Sequence, residues 1–132
     1  MNNLDRSGRS VLHYAALENN VQETERLIAQ GEQLDVQDQR GFTPLHFAAQ
    51  EFSVEVAELL LNSDASVDPK NSFGNTPLFV AVFNSKGRGE MIAILRRYGA
   101  NPLISNQSGQ TPLGLARLIA NYDVSQWFND LE

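Results

Sequence analysis

Cysteine is absent from the 132 residues, which excludes disulfide frameworks and thiolate metal sites and allows a reducing compartment. No apolar run approaches the length that spans a bilayer. The opening Met1-Asn2-Asn3-Leu4-Asp5-Arg6 has no apolar stretch, so no secretory signal is expected there. Histidine is scarce, with His13 and His46 the only two. No nucleophile motif or ligand cluster accompanies them, so neither an enzyme nor a bound metal or cofactor is expected. Linkers and low-complexity tracts are also lacking, and the length suits one compact unit over residues 1–132.

Bases are few in the first half. Residues 1–68 carry twelve acids and four bases, whereas residues 69–132 carry four acids and six bases, within a net charge of −6. Such a balance repels nucleic acid and anionic lipid and steers toward basic partners. Two readings stand: a solvated acidic surface, or an amino-terminal half that faces a basic protein.

What the chain does have is a repeat. Gly8, Gly41, Gly74 and Gly109 are spaced by 33, 33 and 35 residues, and each opens a similar stretch. A fixed period of this length marks a repeat array. Asp5, Asp38, Asn71 and Asn106 stand three places before the glycines, where their side chains can close tight turns on nearby N–H groups. Ser10, Thr43, Thr76 and Thr111 are N-cap candidates. Pro44, Pro77 and Pro112 suit a first helical position, which Val11 fills in the first unit. Pairs of small residues then keep one helix face open to close approach: Ala15-Ala16, Ala48-Ala49 and Ala81-Val82. A second helix follows in each unit, with helical spacing of apolar residues around Leu27, Leu60, Ile94 and Phe128. Gly31, Asp64 and Gly99 suit its left-handed end. The segments 31–41, 64–74 and 99–109 should form projecting β-turns or short hairpins. Hydrophobic residues make up 42%, which fits a thin core buried only against neighbouring repeats.

These residues closely resemble the ankyrin repeat, whose T-P-L-H-x-A signature is met fully by Thr43-Pro44-Leu45-His46-Phe47-Ala48. The first unit departs from it at two places, and the third and fourth lose the histidine. The resemblance implies an all-α ankyrin solenoid of about four helix-turn-helix repeats joined by β-turn or hairpin loops. The repeats run approximately over 4–36, 37–69, 70–104 and 105–132, with the first and last as caps. It further implies a non-enzymatic protein-binding scaffold whose concave face consists of turns and first helices. On that face it places Arg9, Gln39, Arg40, Phe42, Gln50, Glu51, Lys70, Phe73, Asn75 and Phe83. Aromatics and arginine dominate interface hot spots, so Phe42, Phe73, Phe83 and Arg40 lead among them.

Three features need weighing beside that expectation. His13 and His46 could form a metal pair or a general base. One histidine per unit, at equivalent positions and with no third ligand, favours a buried hydrogen bond between repeat turns instead. Lys86-Gly87-Arg88-Gly89 lies at a two-residue insertion and reads as a phosphate cradle, a lengthened surface turn or a partner contact. Phe52 stands where ankyrin units usually place glycine. It either folds back onto the second helix or projects as an anchor.

The stretches Ala81–Glu90 and Ile119–Val124 are similar to bacterial ankyrin proteins encoded beside secreted or contact-delivered toxins. That likeness implies a cytoplasmic immunity protein, monomeric when free, which binds and neutralises a cognate toxin; a basic toxin domain suits the acidic half. The alternative is a general adaptor that docks another cellular or host protein. Neither a nucleic acid nor a membrane is expected as partner.

Overall fold

The computed structural model describes residues 4–119 and 123–131; Met1 to Asn3, Ala120 to Tyr122 and Glu132 lie outside the described residues, and with them the middle of the Ile119–Val124 stretch. Among the described residues seven α-helices follow one another: α1 Val11–Glu18, α2 Val21–Ala29, α3 Pro44–Glu51, α4 Val54–Asn62, α5 Pro77–Phe83, α6 Glu90–Arg97 and α7 Pro112–Leu118. A 3₁₀ helix, Val124–Leu131, completes the fourth pair. The chain is an all-α ankyrin-type solenoid, and the described residues contain no strand.

The first helices start where the caps require. Thr43, Thr76 and Thr111 accept hydrogen bonds on Oγ1 from the N–H of His46, Phe79 and Gly114, at 3.3, 3.3 and 3.0 Å. Proline follows at the first helical position in α3, α5 and α7, where no N–H is missed. In α1 the Ser10 carbonyl accepts from the His13 N–H, while the Ser10 hydroxyl pairs with the imidazole Nδ1.

Helices stack in two layers. α1, α3, α5 and α7 pack in series, and α2, α4 and α6 form a second row. Close stacking of the first row rests on small residues: Ala16, Ala48, Ala49, Ala81 and Val82 are all inaccessible to solvent. Larger side chains, including Leu12, Leu45, Leu60, Leu78, Met91, Ile92 and Leu95, fill the space between the rows. At the far end Val124 and Phe128 are buried, and Arg96 holds Asp130 through two bonds of 2.6 and 2.7 Å. The expected regular second helix of unit four is replaced there by 3₁₀ geometry, with a break in helical backbone at Phe128. That segment packs against the start of α6: Trp127 lies where any Cβ on Gly89 would stand, 2.0 Å from its ring.

The connecting segments make turns rather than extended hairpins, and the turns form a ladder. The Oδ1 atoms of Asp5, Asp38, Asn71 and Asn106 each accept two backbone N–H bonds of 2.9–3.0 Å. Successive turns then join tip to tip. Gln39 N–H donates to the Ser7 carbonyl at 2.8 Å, Ser72 N–H to Arg40 at 2.8 Å, and Gln107 N–H to Phe73 at 3.1 Å. Gly41 has φ +79°, and a Cβ there would meet the Asn71 Cα at 2.9 Å, so both backbone conformation and proximity demand glycine.

Phe52 caps α3 in the left-handed region at φ 52°, a costly choice for a bulky residue. It is half-buried against the core, with the Arg88 guanidinium 4.1 Å over its ring. The ring is therefore neither folded wholly onto the second helix nor a free anchor. The insertion after α5 turns through two left-handed residues, Lys86 (φ 52°) and Gly87 (φ 84°). Arg88 closes it by donating to the carbonyls of Ser85 and Asn84.

Candidate functional site

The repeat register sets four rows of side chains along the face made by turns and first helices. Turn tips carry Ser7, Arg40, Phe73 and Ser108, and the position after each glycine carries Arg9, Phe42, Asn75 and Gln110. On the helices the rows are Tyr14, Phe47, Val80 and Leu115, then Leu17, Gln50, Phe83 and Leu118. Shallow grooves run between these rows. One of about 300 Å³ is lined by Arg9, Leu17, Arg40, Phe42, Phe47 and Gln50. A second of about 320 Å³ shares Phe42 and Gln50 with it, and adds Asn71, Phe73, Asn75, Phe79, Val80, Phe83 and Asn84.

Seven of the ten expected partner-facing residues thus meet along one connected surface: Arg9, Arg40, Phe42, Gln50, Phe73, Asn75 and Phe83. They are not equally free. Phe73 and Phe83 are 52% and 70% exposed. Phe42 differs from the expectation of an outward ring. It is half-buried, stacked on Phe47 at 5.3 Å and tilted against His46 at 5.4 Å. A ring that follows the turn glycine gains more by covering apolar neighbours than by standing in water.

Arg9 is also held back, bound to Asp38 at 3.3 Å and 4.8 Å over the Phe47 ring. The Asn75 carbonyl accepts from His46 and its side-chain oxygen from Asn106. Gln39, Glu51 and Lys70 are exposed outside the two grooves; Gln39 donates to the Arg6 carbonyl at 2.7 Å and Lys70 to that of Ser105 at 3.4 Å. Glu51 accepts from Gln50, and together with exposed Glu18 it makes the helix-end rim of the first two units acidic.

The histidines are fully committed. His13 Nδ1 accepts from Ser10 N–H at 2.9 Å and His46 Nδ1 from Thr43 N–H at 3.1 Å. That leaves each proton on Nε2, which donates to the Phe42 or Asn75 carbonyl at 2.8 Å. Burial holds His46 down to about 4, against the opposing pull of the Asn75 carbonyl, and lowers His13 in the same way. Neutral imidazoles clamped between two turns have no lone pair left for a metal or a base. Among the described residues no group of three or more His, Asp or Glu is placed to hold a metal ion.

Leu118 was not foreseen. It is 68% exposed on α7 and continues the row of Gln50 and Phe83. The spacing of 35 residues from Phe83 is the signal that points to it. Phe47 and Val80, which line the grooves while mostly buried, have the same origin in register.

A family model described as ankyrin repeats in three copies matches residues 1–71, and another described as ankyrin repeats in many copies matches residues 48–96. No curated protein matches the chain. With more than half of its length matched, the chain belongs to the ankyrin-repeat family, whose members are generally non-enzymatic protein–protein interaction modules.

Proposed function

We propose that the protein is an immunity-type inhibitor that binds a cognate toxin domain and covers its active site. The observation that carries this reading is the exposure of three apolar side chains, Phe73 at a turn tip and Phe83 and Leu118 on the first helices, with Arg40 at the neighbouring turn tip. Exposed aromatic surface on an ordered face is a signature of a docking site. The likeness of Ala81–Glu90 to toxin-associated ankyrin proteins supports the inhibitory role. The acidic rim of Glu18 and Glu51 and the acid excess of residues 1–68 favour a basic partner, such as a nuclease domain. On this reading one domain of four repeats, monomeric when free and resident in the cytoplasm, presents its turn-and-helix face to the toxin.

Co-expression with the product of the adjacent gene tests the proposal. A stable complex that protects cells from toxicity is the expected result. Absence of both complex and protection sinks it, whereas a complex without protection replaces inhibition by an adaptor role.

A further inference from the structure

One polar atom on the binding face lacks the partner that its equivalents have. In each turn the Asx Oδ1 closes the turn, and the other terminal atom is free to pair. Asp5 Oδ2 accepts from the Tyr14 hydroxyl, Asp38 Oδ2 from Arg9 at 3.3 Å, and Asn106 Nδ2 donates to Asn75 Oδ1 at 2.8 Å. Asn71 Nδ2 is buried and has no partner among the described residues. The register gives the reason. Arg9 serves Asp38 and Asn75 serves Asn106, so the residue that should serve Asn71 is Phe42, and a phenyl ring offers no conventional acceptor. An unmet buried donor is expensive, and Asn71 lines the larger groove together with half-buried Phe42.

The lining of that groove is apolar or amide, with no ionised side chain. Charge complementarity therefore calls for a neutral occupant, because a carboxylate or ammonium tip would lose its hydration without compensation. The rim rings Phe73 and Phe83 call for an aromatic body. Gln50 offers a second polar contact: its Nε2 is held by Glu51 at 3.0 Å, which turns its carbonyl oxygen to acceptor duty.

We propose that the groove between α3 and α5 takes a tyrosine side chain of the partner protein. Its ring lies against Phe73 and Phe83, its oxygen accepts from Asn71 Nδ2 after a small rotation of Phe42, and its hydroxyl proton goes to Gln50. This rests on the turn-and-helix face being the binding face.

The test uses tyrosine side-chain analogues on the isolated, isotope-labelled chain, followed by NMR. p-Cresol donates and accepts, 4-methylanisole only accepts, and toluene does neither. The expected result is shifts at Asn71, Phe73 and Phe83, with p-cresol, which makes two hydrogen bonds, binding more than about five-fold more tightly than toluene, the worth of one net hydrogen bond. 4-Methylanisole should fall between them. Asn71→Asp keeps the turn-closing oxygen, as Asp38 does, but replaces the donor; its advantage for 4-methylanisole over toluene should vanish while the spectrum stays folded. Equal binding of toluene and p-cresol overturns the tyrosine while leaving the face as a docking site. Shifts confined to another surface, or none, overturn it as well. Failure of the toxin reading shows separately, in the co-expression experiment.

Discussion

His46 joins two turns through a single ring, and its chemistry makes that joint sensitive to pH. The ring titrates at 6.5 when unfolded and at about 4 in the fold. A depressed folded value means that the stabilisation is complete above 6.5 and is lost as pH falls from 6.5 towards 4. The gap corresponds to roughly 3 kcal/mol. Denaturant titrations of the native chain and His46→Gln should therefore differ most at pH 7 and converge as pH falls through about 4. A difference that grows on acidification would show that the ring is charged in the fold. At the same scale, exposed Phe83 and Phe73 rest on little. Alanine at either should change stability by no more than about 0.5 kcal/mol, yet weaken partner binding at least ten-fold if it is a hot spot. Calorimetry on the chain and on its complex separates the two effects.

Among elements, the turn ladder and the 3₁₀ helix both depend on a glycine without room for a Cβ. Gly41 is crowded by the Asn71 backbone, whereas Gly109, with φ +78°, has nothing within 4 Å of the place a Cβ would take. Gly109→Ala should cost about 1–2 kcal/mol for its left-handed backbone alone. Gly41→Ala must also push two turns apart, so it should cost clearly more; equal losses in chemical denaturation would contradict the ladder. Gly89→Ala drives a methyl into Trp127, the only tryptophan in the chain. The emission of Trp127 should move to the red as the 3₁₀ helix lifts from α6, with the other units intact by circular dichroism.

For the molecule as a whole, what could be read from sequence followed locality. Asx, glycine, Thr-Pro and paired small residues act within a few positions of themselves, so the turns, caps and first helices were legible from four aligned copies. Rows across the stack were legible wherever the register was applied, and Leu118 lay within reach of the same arithmetic. Features set by contact between distant residues were not. Nothing near Phe42 in the chain announces that its ring stacks on Phe47, that Arg9 is drawn to Asp38, or that Arg88 covers Phe52. The 3₁₀ form of the last helix was hidden for the same reason, since it answers to contacts with α6. These are competitions between burial and solvation, decided only where distant residues meet in the fold.

The two additional residues after α5 lead to a practical consequence. They lengthen the path between α5 and α6, yet the third and fourth turns still meet through Gln107 and Phe73 at 3.1 Å. The array thus keeps its pitch in the turns and tolerates variable length between paired helices. Lengthening a surface loop carries only a small entropic cost. The Lys86–Gly87 link is therefore a splice point: a peptide tag or a fluorophore-bearing segment inserted there would leave the spacing of the turns unaltered.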